Sequence, residues 1–244
     1  MAATTWLETG LDLLAPPRCA ICGAELPAGS AVPKPWAEAC ARCVATLSRD
    51  TVRCATCGRP VAEGCRTCAR CRAAWAGIVV LGPYADELRT AVLRAKRPTG
   101  DRVAAALAAL LVGRHRSTLA DWAADVVVPV PMHWLRRSIR GTSAADELAR
   151  GVAAALGKPC RRLLRRTRAT IMQNRLPTVA RRGNVRGAFR PRGSLTGLRI
   201  LLVDDVTTTG STLEACGEAA LSAGAAAVYA AAVARADAEA PVDA

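Results

Sequence analysis

The chain has 244 residues, 51% of them hydrophobic, and its 34 Lys and Arg against 20 Asp and Glu give a net charge of +14. That length holds one medium α/β domain plus a small module, and the positive excess favours anionic partners such as diphosphates or nucleic acid. No apolar run approaches the roughly 20 residues of a membrane-spanning helix, and Met1 to Gly10 has neither a basic residue nor a long apolar core, so no membrane insertion and no secretory signal are expected and the default location is cytoplasmic.

From the N-terminus, Thr5 to Leu14 sets Trp6, Leu7, Leu11, Leu13 and Leu14 at helical spacing and is ended by Pro16 and Pro17. This short helix is expected to pack on the cysteine-rich segment after it. Of the 11 cysteines, nine precede residue 72, and in a reducing compartment such a cluster predicts metal ligands rather than disulfides. They form Cys-x-x-Cys pairs: Cys19/Cys22, Cys40/Cys43, Cys54/Cys57, and either Cys65/Cys68 or Cys68/Cys71. Two pairs make one tetrahedral thiolate site, so two structural Zn²⁺ sites are expected, closed to catalysis because four thiolates fill the coordination sphere. Consecutive pairs can share a metal, or the first and third can interleave. Gly23 and Gly58 each follow the second cysteine of a pair, where a metal knuckle needs a residue tolerant of positive φ. A redox dithiol of the thioredoxin kind would need a βαβ setting that this segment lacks. Cys160 and Cys216 stand apart and read as small buried apolar residues.

A boundary is expected near Trp75 to Ile78, giving a cysteine module over 1–77 and a larger domain over 78–244, with a disordered tail from about 236. Ile78 to Leu81 reads as a strand, Asp86 to Lys96 and Val103 to Arg116 as helices divided by Pro98-Thr99-Gly100, and Val126 to Pro131 as a second buried strand stopped by its prolines. Ala144 to Leu156 is helical. Lys158 to Arg192 carries twelve basic residues and no acid. Ala226 to Val233 is a late strand, and the alternation of strands with helices predicts an α/β fold with a parallel sheet flanked by helices.

The most informative stretch runs from Arg199 to Thr212. Ile200 to Val203 is short, rich in branched residues, and reads as a strand buried on both faces. Asp204 and Asp205 then fall at its carboxyl end, the edge at which open α/β sheets bind ligands. Neighbouring carboxylates there can accept hydrogen bonds from two ribose hydroxyls or approach a divalent cation. Thr207, Thr208, Thr209, Gly210, Ser211 and Thr212 add hydroxyls and backbone N–H groups ahead of a helix over Leu213 to Leu221, a setting that favours a phosphate. An ordinary capped βα loop uses Ser and Thr too, but it does not need two acids before them.

At these residues the chain resembles the phosphoribosyl diphosphate (PRPP) motif of type I phosphoribosyltransferases. The resemblance implies that Asp204 and Asp205 hold the ribose hydroxyls and that Thr207 to Thr212 bind the 5′-phosphate. Further blocks widen it to nearly the whole chain: the cysteine pairs, Tyr84 with Arg89 and Lys96, the run Val128 to Trp134 followed by Arg140-Gly141, and Thr170, Gln173, Arg182, Asn184, Val185 and Phe189. Together they resemble the ComF family, a double zinc ribbon joined to a phosphoribosyltransferase domain and associated with DNA uptake in natural competence. The family spacing favours Cys68 and Cys71 over Cys65 as ligands. It also implies that Val130, Pro131, His133 and Arg140 belong to a diphosphate loop, that Thr167 to Phe189 forms a hood over PRPP, and that Mg²⁺ accompanies PRPP. Single-stranded DNA and other competence or DNA-processing proteins are the implied partners. Where the family has an aromatic, an Asn and a Gln after Arg140-Gly141, this chain has Thr142, Ser143 and Ala144.

Overall fold

A computed structural model describes residues 18–26, 39–47, 51–63, 65, 67–68, 74–132, 144–167 and 187–236. The expected helix over Thr5 to Leu14 and nearly all of the expected tail lie outside them. Four strands build the main sheet: β1 (Gly77–Pro83), β2 (Val126–Pro129), β5 (Arg199–Thr207) and β6 (Ala227–Arg235), all parallel and in the order β1-β6-β5-β2. Between β2 and β5 in sequence, β3 (Leu164–Arg166) and β4 (Phe189–Pro191) pair antiparallel as a separate two-stranded ribbon. The helices are α1 (Ala41–Leu47), α2 (Asp86–Ala95), α3 (Asp101–Arg114), α4 (Arg116–Trp122), α5 (Ala144–Leu156) and α6 (Ser211–Leu221).

The strands are apolar on both faces because helices cover both. Val79, Leu81, Leu201, Val203, Tyr229, Ala231 and Val233 point to one side, into a core shared with α2, α3 and α5. Ile78, Val80, Ile200, Leu202, Val228 and Ala230 point to the other, against α6, the β3–β4 ribbon and Trp75. Side chains alternate across a strand, so residue parity assigns each position to a face. The first core does not stop at the α/β domain: Cys19, Ile21, Leu26, Cys43 and Leu47 of the cysteine module belong to it.

Among the departures of the structure from the sequence reading, two shape the surroundings of the sheet edge. The helix expected over Val103 to Arg116 breaks at His115, whose backbone leaves helical geometry (φ −111°, ψ 25°) while its ring meets the Val80 carbonyl at 3.0 Å; α4 starts afresh at Arg116. The strand expected to end at Val203 continues to Thr207, because β6 offers it partners as far as Arg235, whereas β2 stops at Pro129 opposite Val203. Among the described residues the strand is therefore paired on one side only beyond Val203, at the carboxyl edge where open α/β sheets bind ligands.

Candidate functional site

Asp204 and Asp205 occupy that one-sided extension of β5, opposite Ala232 and beside it. By parity Asp205 faces the side of α2 and Asp204 the side of α6. The ion pairs follow this division. Lys96, which caps the end of α2, places Nζ 3.0 Å from Oδ2 of Asp205, with both side chains mostly buried. Asp204 takes the N–H of Asp205 on its own Oδ1 at 2.9 Å. Burial, reinforced by the Asp205 carboxylate, pushes Asp204 up to about 7, against the opposing pull of that N–H, of Lys96 and of Arg166. Beneath it, on α6, burial and the Asp204 charge raise the Cys216 thiol far above its ordinary range, which keeps it protonated and inert.

The loop that follows turns sharply. Gly210 is left-handed (φ +82°), and it starts α6 without a side-chain cap. Thr209 and Ser211 share a hydroxyl hydrogen bond of 2.6 Å, and the Ser211 N–H donates to Thr209 Oγ1 at 3.3 Å. The first N–H groups of a helix have no partner within it, and together with the hydroxyls they offer donors suited to a phosphate. Thr207 and Ser211 are buried, whereas Thr208, Thr209 and Thr212 keep part of their surface open.

Val130 and Pro131 lie beside this extension, since the Val130 N–H donates to the Val203 carbonyl at 2.9 Å and carries the chain past the end of β2. His133 and Arg140 fall outside the described residues. So does most of the segment read as a hood, but its stem is present: β3 and β4 pair Arg166 with Phe189, and the Arg166 guanidinium lies 5.4 Å above the Phe189 ring. The stem thus brings Arg166 to the Asp204 side while α2 brings Lys96 to the Asp205 side.

The thiols gather in two groups. Cys19, Cys22, Cys40 and Cys43 form one, with sulfurs 3.8 Å apart for Cys19 and Cys43 and 3.7 Å for Cys22 and Cys40. A tetrahedron with metal–sulfur bonds of about 2.3 Å has edges of about 3.8 Å, so the group fits zinc. Backbone N–H groups of Cys22 and Cys40 point at the Cys19 sulfur, and that of Cys43 at the Cys40 sulfur. Cys54, Cys57 and Cys68 form the second group, with Cys57 and Cys68 3.6 Å apart and the Cys68 N–H on the Cys54 sulfur. Consecutive pairs share the first site, and the interleaved alternative does not occur there. Cys65 is not among the three gathered thiols, and Cys71 lies outside the described residues.

The fold brings Lys96, Arg166, Trp75 and Arg235 to this region. In the sequence Lys96 stands out only as part of the family resemblance and Trp75 only as a boundary, and nothing there gives a separate role to Arg166 or Arg235. Lys96 is also one of three lysines in a chain that otherwise uses arginine for positive charge.

Comparison with known proteins agrees with this architecture. Residues 99–244 match the model of the phosphoribosyl transferase domain, and residues 10–72 that of the double zinc ribbon domain. The DNA utilization protein YhgH of Salmonella typhimurium is 33% identical over 199 residues, covering 78% of this chain and 86% of its own. Competence protein F of Haemophilus influenzae is 31% identical over 170 residues, 66% of this chain and 74% of its own. A solved glutamine phosphoribosylpyrophosphate amidotransferase of B. subtilis overlaps 55% of this chain and 27% of its own at 24% identity, with a TM-score of 0.36. With its thiolate knuckles, its parallel sheet, the two domain matches and its likeness to YhgH and competence protein F, the chain belongs to the ComF family, in which a double zinc ribbon precedes a phosphoribosyltransferase domain.

Proposed function

We propose that the carboxyl edge of the sheet binds PRPP and transfers its ribose phosphate to a nitrogen nucleophile. One observation carries the reading: an acid pair on the one-sided end of β5 leads directly into a hydroxyl-rich turn at the start of α6, with a cation on each side of the sheet. Asp204 and Asp205 orient the ribose through its hydroxyls, and the loop from Thr207 to Thr212 holds the 5′-phosphate. Val130, Pro131, His133 and Arg140 receive the diphosphate. As the acceptor nitrogen bonds to C1, the C1–O bond breaks and its electron pair leaves with the diphosphate, so positive groups aimed at that oxygen contribute most to the rate. Mg²⁺ accompanying PRPP supplies further charge neutralisation on the diphosphate.

The cysteine module over 1–77 is structural in this reading and the transferase-like domain occupies 78–244. Cys71 supplies the fourth thiolate of the second centre, beside Cys54, Cys57 and Cys68. The relatives named for DNA utilization and competence support a role in DNA uptake or a related branch of DNA metabolism, with single-stranded DNA and DNA-processing proteins as partners. The basic stretch from Lys158 to Arg192 favours a second reading, a DNA-binding protein that senses PRPP without turning it over. Calorimetric titration with PRPP and Mg²⁺ tests the site. The wild-type chain is expected to bind and an Asp204→Ala/Asp205→Ala variant to lose at least about tenfold in affinity; equal binding by both removes the assignment. Release of diphosphate in the presence of amine and nucleobase acceptors distinguishes transfer from sensing, and single-stranded DNA titrations at several salt concentrations measure the second reading directly.

A further inference from the structure

Three consecutive carbonyls of the second thiolate knuckle accept hydrogen bonds from the α/β side of the molecule. The Ala55 oxygen accepts from the Ile78 N–H at 2.8 Å, the Thr56 oxygen from the indole Nε1 of Trp75 at 2.5 Å, and the Cys57 oxygen from Nη1 of Arg235 at 2.8 Å. Gly58 completes the contact: a Cβ there would stand 2.8 Å from Val80 Cγ2, so the knuckle lies directly on β1.

One of these donors, Trp75, also touches the loop after β5, and another, Arg235, pairs with the last residue of β5. Trp75 is 7% exposed, and a Cβ placed on Gly210 would stand 3.2 Å from its Cη2 atom, so the indole lies flush against the left-handed turn that opens α6. Arg235 stands in register with Thr207, and the N–H of Ala236 donates to the Thr207 carbonyl at 2.9 Å. The loop is thus held near one end by β6 and near the other by an indole whose own N–H is fixed by the knuckle. Gly210 has no side chain with which to pack itself, so the ring supplies the packing that a larger residue would have given. A phosphate cradle built from backbone N–H groups needs its donors placed to about half an ångström, and loops hold such precision only when a second layer fixes them.

We infer that Trp75 is a positioning residue that couples the second thiolate centre to the loop 207–212, so that the integrity of the Cys54–Cys57 knuckle sets the affinity of that loop for a sugar phosphate. The inference rests on the reading of the loop as a phosphate site. Its own geometry does not depend on that reading, and the two can therefore fail separately.

The full zinc-loaded chain serves for the test, with Trp75→Phe, which keeps the ring and removes the N–H donor, Trp75→Ala, and Cys57→Ser in both the wild-type and the Trp75→Ala backgrounds. Zinc content, hydrogen exchange of the 207–212 amides, and affinity for ribose 5-phosphate and for PRPP are measured for each. Trp75→Ala is expected to keep its zinc, to exchange faster at 207–212, and to bind ribose 5-phosphate about tenfold more weakly, with Trp75→Phe in between. Cys57→Ser should weaken binding by a similar factor in the wild type and add little in the Trp75→Ala background, because both act through one contact chain. Wild-type exchange and affinity in zinc-loaded Trp75→Ala overturn the inference, as does full affinity in Cys57→Ser after loss of its zinc. If the wild-type chain binds neither ligand while Trp75→Ala still speeds exchange at 207–212, the coupling stands and the phosphate reading falls.

Discussion

Asp204 and Asp205 are consecutive in sequence but answer to different surroundings. Strand alternation sends Asp205 to Lys96 and leaves Asp204 among Arg166, Cys216 and the other acid. Asp204 is the group whose protonation burial disturbs. Its value in the folded chain, about 7, lies above the ordinary 3.8, so the folded state binds more protons than the unfolded one between these limits. The stability associated with Asp204 is accordingly greatest below the lower value and is lost as pH rises through the upper one. Asp204→Asn removes this loss. The variant should gain on the wild type as pH increases from 5 to 8, reaching a Tm advantage of about 2–6 °C at the upper end. Thermal unfolding at four pH values checks it, and a gap that is constant with pH contradicts it.

At the scale of elements, the turn into α6 combines two separate demands on Gly210. The backbone is left-handed, and the indole of Trp75 fills the space where a Cβ would go. Gly197 is also left-handed (φ +76°), but nothing lies within 4 Å of a Cβ built there. Both Gly→Ala substitutions incur the conformational cost of about 1–2 kcal/mol, so Gly197→Ala measures that cost alone and Gly210→Ala should exceed it. Denaturant unfolding gives the difference, and ribose 5-phosphate affinity should fall only for Gly210→Ala. The elements that were readable in the sequence are those with their own local signal. Ile200 to Val203 announces a strand by its branched apolar run, and Leu213 to Leu221 a helix by its periodicity. The extension of β5 to Thr207 carries no such signal, because acids and threonines there are held by the register with β6 rather than by propensity. The short strands β3 and β4 were hidden within a basic segment, since three residues are too few for a pattern and each pairs with a segment more than twenty residues away in sequence. The Cys-x-x-Cys pairs showed where metal binds but not which pairs share it, and Lys96 meets Asp205 only through the folding of α2 against the sheet.

The whole molecule has no seam between its first thiolate centre and its main core. Cys19 and Cys43 are buried with Leu88, Leu107 and Leu111 in one continuous cluster. Metal loss should therefore be felt beyond the ribbon. The chain is expected to carry two zinc ions after gel filtration, and their removal by a strong chelator should lower the Tm of the main unfolding transition by more than about 5 °C, with no separate ribbon transition. An unchanged main transition would show that the ribbon unfolds on its own. No helix among the described residues is long and apolar enough to cross a membrane.

The central strand β6 adds one more property. Ala230, Ala231, Ala232 and Ala234 are wholly enclosed, and the α3–α5 contact is equally spare, with Gly151 so near that a Cβ on it would stand 2.7 Å from Ala108 Cβ. Side chains this small surrender no rotamers when they are enclosed, so β6 and the α3–α5 contact are ordered at little side-chain entropic cost. They also leave almost nothing to truncate. The large buried residues around them, Leu107, Leu148 and Leu201 among them, are sensitive to the removal of atoms, whereas these two seams are most vulnerable to an added methyl group, which has no cavity to enter and must push the packed elements apart.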